Sequence, residues 1–314
     1  MIERLVTLFG GGGFLGRYVA QELLRRGARI RIAERNPGDA FFLKPLGGLG
    51  QIQFVSADVT RPETLSRAAE GANATVNLVG VLAGDFEKLH VEGARNAARA
   101  AAEAGAESFV QVSAIGASRE AESRYARTKG LGEEAVRAAM PGATIVRPSI
   151  LFGPEDRFIN KFAAMARLPG PMPVIAPQAR FQPAYVADVA RAVAAAALDP
   201  ATHGGKTYEL GGPQVMTMLE INRFVAEAIG RSGKTLIEVP DIAARGMARL
   251  GFLPGVPLTW DQWLMLQTPN VASEGAPGFE AFGIAPRPLA AVAEGWLVRY
   301  RDHGRFARKT MGAA

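Results

Sequence analysis

The chain has no cysteine in its 314 residues. Disulfides, thiolate metal sites and cysteine nucleophiles are excluded together. Its three histidines, His90, His203 and His303, lie far apart in sequence, which does not suit a histidine-rich metal site, and no metal is expected. Aromatic residues make up 8% and do not interleave with the basic ones, so a nucleic-acid-reading surface is not expected. No apolar run reaches the roughly 18 residues of a membrane-spanning helix. Met1-Ile2-Glu3-Arg4 runs straight into an apolar strand without the features of a signal peptide, and the reading is a cytosolic or peripherally bound protein. Charged residues are only 21% against 48% hydrophobic, which excludes disorder and supplies a sizeable core. The net charge of +6 favours an anionic partner, such as a phosphorylated ligand or a lipid surface.

What is present alternates between two periods. Leu5 to Phe9, Arg29 to Ala33, Ile52 to Ser56, Thr75 to Val79, Phe109 to Ser113 and Ala143 to Arg147 read as short strands. Helical spacing fills the gaps: Leu15, Val19 and Leu23 after the first strand, an alanine-rich run through Ala104, and Arg124 to Ala139. Thr60-Arg61-Pro62-Glu63 has the form of a capping box with proline in the first turn. This alternation predicts an α/β fold, a Rossmann-type doubly wound parallel sheet with right-handed crossovers. After about residue 150 loop punctuation increases, as in Phe152-Gly153-Pro154 and Gly211-Gly212-Pro213. The expected division is a nucleotide-binding domain over 1–150 and a smaller lobe over 151–314, some of whose elements return to the sheet. In that lobe Val186 to Ala197 reads as a helix, Thr207 to Leu210 as a strand, and Thr217-Met218-Leu219-Glu220 as the cap of a helix to about Arg231.

Gly10, Gly13 and Gly16 stand at G-x-x-G-x-x-G spacing between the first strand and the first helix. Such a loop must turn tightly, let the backbone approach a diphosphate and pack the helix against the sheet, and a side chain obstructs each task. The diphosphate then meets free N–H groups at the helix N-terminus. Arg35, 19 residues past Gly16, suits the 2′-phosphate of NADPH, while Glu34 beside it keeps NADH open. Asp58, closing the third strand, is suited either to the adenine amino group or to capping the next helix. Tyr125 and Lys129 are four apart on one helical face, and Ser113 ends the fifth strand. A lysine that lowers a phenol's pKa, with a serine that donates to a carbonyl, is the equipment for proton transfer coupled to hydride transfer.

These motifs, with Asp58-Val59 and Arg147-Pro148, resemble an extended or atypical short-chain dehydrogenase/reductase over about residues 4 to 230. Phe9-Gly10, the run Arg147-Pro148-Ser149-Ile150-Leu151-Phe152-Gly153-Pro154-Glu155-Asp156-Arg157-Phe158, and Pro183-Ala184-Tyr185-Val186-Ala187-Asp188-Val189 are narrower. They are similar to the nucleotide-binding accessory subunits of respiratory complex I, the NADH:ubiquinone oxidoreductase, and their bacterial relatives. The tail from Gln267-Thr268-Pro269-Asn270-Val271 to Gly283-Ile284-Ala285-Pro286 fits them too. The resemblance implies a bound NADPH held as a structural element, without turnover, in a lobe docked on the hydrophilic arm near the membrane. It places Gly10, Gly13, Phe14, Leu15, Gly16, Arg35, Asp58, Val59, Val79, Gly80, Ser113, Tyr125, Lys129 and Pro148 at the nucleotide. The other subunits of the complex are the implied partners, and the cytoplasmic face of the inner membrane the implied location. The intact Ser113, Tyr125 and Lys129 set keeps a second reading open, a free NAD(P)-dependent epimerase, dehydratase or reductase. Phe9 stands where catalytic relatives commonly carry threonine.

Pro240 to Gln267 is rich in large apolar residues, among them Trp260 and Trp263, behind a capping box at Thr259-Trp260-Asp261-Gln262. It reads either as a lid over a pocket or as a surface docked on a partner or bilayer interface, with Arg245 and Arg249 toward anionic headgroups. Arg299, Arg301, Arg305, Arg308 and Lys309 form a basic tail, which reads either as a solvated terminus or as an addition to a docking surface.

Overall fold

The computed structural model describes residues 4–251, 253, 258–302 and 304. Strand and helix alternate as expected: β1 (Leu5–Phe9), α1 (Phe14–Arg25), β2 (Arg29–Glu34), β3 (Ile52–Ser56) and α2 (Pro62–Ala69). Then follow β4 (Ala74–Asn77), α3 (Gly93–Glu103), β5 (Ser108–Val112), α4 (Arg124–Ala139) and β6 (Thr144–Pro148). Shorter elements succeed them: β7 (Leu151–Phe152), α5 (Ile159–Arg167), β8 (Met172–Ile175), β9 (Arg180–Phe181) and β10 (Ala184–Tyr185). The chain continues with α6 (Val186–Leu198), α7 (Pro200–His203), β11 (Thr207–Leu210), β12 (Met216–Thr217) and α8 (Met218–Ala228). Next are β13 (Leu236–Val239), α9 (Asp241–Arg249) and α10 (Trp260–Leu266).

Seven strands make one sheet in the order β11-β6-β5-β4-β1-β2-β3, and every pairing is parallel. The chain runs outward from β1 to β3 and then crosses back to β4. That reversal between β1 and β4 is the switch point at which the strands' carboxyl ends leave a crevice. β4 and β5 are buried along their whole length, as strands covered on both faces must be. Small residues permit the cover: Ala94, Ala97, Ala98 and Ala101 of α3 pack in one cluster with Leu65, Phe109 and Ile145. Each of those three large side chains contributes about 1.5–3 kcal/mol by full burial.

Residues to Ser149, Val186–Gly211 and Ala272–Ala285 form one compact unit; Ile150–Tyr185, Gly212–Val271 and the chain from Pro286 form another. In the first unit β11 pairs with the edge strand β6, and α6 packs against α1. The second unit holds paired short strands around its own core of Phe152, Ile159, Met172, Ile221 and Leu297.

Thr217 and Thr259 form true capping boxes with Glu220 and Gln262. Thr60 does not: α2 starts at Pro62 with Arg61 at its N-cap, and the Thr60 hydroxyl donates to Asp58 Oδ1 instead. A 3-10 segment at Pro37–Leu46 and a π-helical turn at Glu87–Glu92 stand where the sequence pattern did not announce them. The helix after Thr217 stops at Ala228, short of Arg231. Arg299 and Arg301 are not a solvated tail. Arg299 donates to Pro154 O and Asn160 Oδ1, and Arg301 donates to Ala228 O. His303, Arg305, Arg308 and Lys309 lie outside the described residues.

Candidate nucleotide site

The glycine loop leaves β1 at the switch point. Gly10 has φ +80, a left-handed conformation costly to other residues. A Cβ on Gly16 would meet the carbonyl oxygens of Gly11 and Gly10 at 2.5 and 2.6 Å, so only glycine lets α1 start against the loop. Gly13 is the N-cap, in extended conformation, and offers no side chain to the first-turn N–H groups. No acidic residue occupies that first turn. An uncapped helix start behind a glycine loop is a ready anion cradle. Phe14 and Leu15 open the helix there, Leu15 buried and Phe14 edge-on to Tyr18.

At the end of β2 the two candidate side chains diverge. Glu34 turns inward and its Oε1 accepts from Gly12 N at 2.6 Å. Burial raises its pKa, against the opposing effects of the Gly12 N–H and Arg35. Arg35 stays exposed. Its guanidinium makes no ion pair or hydrogen bond among the described residues, which suits a group awaiting an anion. Asp58 Oδ1 accepts from both Thr60 N and Thr60 Oγ1. Its partial burial acts to raise the pKa, but those two bonds with Arg35 and Arg61 outweigh it and hold the carboxyl below its usual value. Val59 is buried and wedged under the backbone of Gly93, where a Cβ would stand 2.8 Å from Val59 Cγ2.

β4, β5 and α4 bring the remaining candidates together. Asn77 ties β4 to β5 through Gln111 Oε1 at 2.9 Å and accepts from Val79 N. Gly80 follows Val79, and a Cβ there would come within 3.0 Å of Lys129 Nζ. Lys129 is buried and donates to Val112 O at 3.3 Å. Burial pushes its pKa down to about 8, against the upward pull of Glu133. Burial pushes the Tyr125 hydroxyl up to about 12. Ser113 is buried and, among the described residues, its Oγ has no hydrogen-bond partner. Pro148 closes β6 and its carbonyl accepts from Ile115 N. Behind α4, Arg147 grips Glu133 at 2.9 and 2.6 Å and reaches Glu209 at 3.3 Å, tying the helix to β6 and β11.

One member of this cluster is not evident from sequence. His90 is buried, stacks on Phe86 and stands edge-on to Tyr125, with ring centroids 5.4 Å apart in both cases. Burial and the nearby Lys129 push its pKa down to about 3, so the ring is neutral. Nothing in the local pattern marks it, because its partners arrive from positions 81, 125 and 128.

The residues present fit a nicotinamide dinucleotide. Four features agree with it among the described residues: a buried Ser113 hydroxyl without a hydrogen-bond partner, a helix start without a side-chain cap, an exposed Arg35 guanidinium without a hydrogen bond, and a buried Lys129 one turn from Tyr125. Among the described residues no group of three metal-ligating side chains occurs.

The described residues of 240–267 include the tryptophans and arginines singled out in the sequence. Trp263 is buried with Ala244, Ala248 and Leu258, whereas Trp260, stacked on it at 4.9 Å, is exposed. The pair is therefore divided between core and surface. The guanidinium groups of Arg245 and Arg249 lie 6.0 and 5.8 Å from the Trp260 ring centroid. Ile242 is 88% exposed, and Leu250 and Leu253 are exposed nearby in sequence. Among the described residues no helix is long and apolar enough to cross a membrane.

The switch-point crevice and the glycine loop define the Rossmann class of α/β proteins. Within it, the chain belongs to the NAD-dependent epimerase/dehydratase family, whose model matches residues 6–211. It is 34% identical over 317 residues to the mitochondrial NADH dehydrogenase [ubiquinone] 1 alpha subcomplex subunit 9 of Arabidopsis thaliana, covering 96% of this chain and 79% of that one. It is 33% identical over 242 residues to a ceramide reductase of Caulobacter vibrioides, covering 76% and 74%. Among solved structures, the NADPH-dependent quinone oxidoreductase of Escherichia coli complexed with NADPH superposes with a TM-score of 0.73. It covers 93% of this chain and 99% of that one, at 21% identity, a likeness of fold.

Proposed function

We propose that this chain is a nucleotide-bearing accessory subunit of respiratory NADH:ubiquinone oxidoreductase, holding NADPH as a structural element. The observation that carries the reading is the near full-length identity to a subunit of that name, which extends well past the nucleotide-binding half. Gly10, Gly13, Phe14, Leu15 and Gly16 receive the diphosphate, and Arg35 receives the 2′-phosphate. Asp58 and Val59 line the adenine side. Val79, Gly80, Ser113, Tyr125, Lys129 and Pro148 surround the nicotinamide ribose. A bound nicotinamide supplies hydride chemistry in principle.

The protein sits peripherally at the cytoplasmic face of the membrane that holds the complex, with the other subunits as partners. Exposed Ile242 and Trp260 beside Arg245 and Arg249 support a contact with an anionic interface, where tryptophan and arginine are both favoured.

A second reading has its own support. The Ser113, Tyr125 and Lys129 set is complete, and one relative is named a reductase. The two readings separate on Tyr125→Phe. Loss of one hydroxyl costs roughly 1 kcal/mol of binding, so an accessory subunit carrying it still enters the complex and keeps its nucleotide. An enzyme carrying it loses NADPH-dependent reduction of its carbonyl substrate instead.

A further inference from the structure

We infer that His90 is a positioning residue for the nicotinamide half of the nucleotide, its ring clamping the Gly80–Val81 backbone to the helix that carries Tyr125 and Lys129. The inference rests on the nucleotide reading of the site. After β4 the chain from Gly80 to Asp85 has no regular structure, Leu82 is exposed, and Gly84 has φ +101. The sheet ladder does not hold this stretch. His90 does: Val81 N donates to Nε2 at 3.1 Å. With Nε2 accepting, the hydrogen must sit on Nδ1, which donates to Thr128 Oγ1 at 3.0 Å. Thr128 in turn donates to Arg124 O at 2.8 Å, within α4.

The ring cannot drift, because its main chain is pinned. A Cβ on Gly132 of α4 would sit 2.1 Å from His90 O, so the π-helical turn bearing His90 lies directly on that helix. Single π turns inserted beside α-helices are frequent at functional sites. The clamp also bears on the lysine, since a Cβ on Gly80 would stand 3.0 Å from Lys129 Nζ. A phenylalanine would fill the same space against Phe86 and Tyr125. It would make neither hydrogen bond.

The test measures dissociation constants of the full chain for NADPH and for 2′,5′-ADP, which carries the adenosine phosphates without the nicotinamide. His90→Phe is expected to weaken NADPH about tenfold, the effect of one to two lost hydrogen bonds, and to leave 2′,5′-ADP within about twofold. His90→Gln is expected to recover most of the NADPH affinity, its amide oxygen accepting from Val81 and its amide nitrogen donating to Thr128. Equal losses for the two ligands, or none for either, would overturn the assignment. Should His90→Phe fail to fold, Thr128→Val removes the Nδ1 partner at conserved volume, with the same selective loss expected and the same results decisive. A wild-type chain that binds neither ligand would sink the nucleotide reading itself, a different outcome.

Discussion

Lys129 is a residue held at a cost. Its ordinary pKa of 10.5 falls to about 8 in the folded chain because burial disfavours the ammonium. Between those values the unfolded chain binds more protons than the folded one, so this group adds stability as pH rises from about 8 to 10.5 and is a full penalty below 8. Lys129→Met should therefore raise the melting temperature of the nucleotide-free protein at pH 7, by an equivalent of up to about 3 kcal/mol. That gain should shrink at pH 10 while NADPH binding is lost at both. A melting temperature unchanged or lowered at pH 7 would mean the ammonium is well solvated. Arg35 makes the complementary case, an exposed cation whose guanidinium makes no hydrogen bond or ion pair among the described residues, although its charge acts on Glu34 and Asp58. Arg35→Ala should weaken NADPH by about 1.5–3 kcal/mol, the worth of a hydrogen bond to a charged group, and leave NADH nearly unchanged. Equal weakening of both in a fluorescence titration would remove the 2′-phosphate assignment.

Among the elements, α10 divides its two tryptophans and so separates two roles that the sequence runs together. Trp263 belongs to a small core with Ala244, Ala248 and Leu258. Trp263→Ser should cost about 3–5 kcal/mol, read as a lower melting temperature. Trp260→Ser should leave the melting temperature nearly unchanged and shift the protein from the membrane fraction to the soluble one. Retention on the membrane would remove that face from the contact. The sheet, the glycine loop and the Tyr125/Lys129 face are legible in sequence because each rests on a local period or spacing. The 3-10 segment at Pro37–Leu46 and the Glu34 bond to Gly12 are not, since they depend on how β2 and the loop lie in space. His90 is hidden for the same reason: its bonds reach back 9 residues and forward 38. Thr60 shows the converse failure, where a capping pattern is complete but Asp58 competes for the hydroxyl.

As a whole, the chain carries a glycine loop before a helix start without a side-chain cap and, on α9 and α10, exposed apolar and cationic side chains. On the proposed reading the bound nucleotide stabilises the fold by mass action and the face docks. Gly13→Asp tests their linkage, because a carboxylate in the loop repels the diphosphate. The empty protein should enter the complex in reduced amount, scored by immunoblot of solubilised membranes, and undiminished entry would show that the nucleotide is dispensable for docking. Membership of the respiratory complex is read by blue-native electrophoresis of solubilised membranes containing the tagged full chain. The tag is expected to migrate with NADH dehydrogenase activity, at the mass of the assembled complex. A tag found only at the mass of the free protein, in membranes where that activity band is intact, would contradict it.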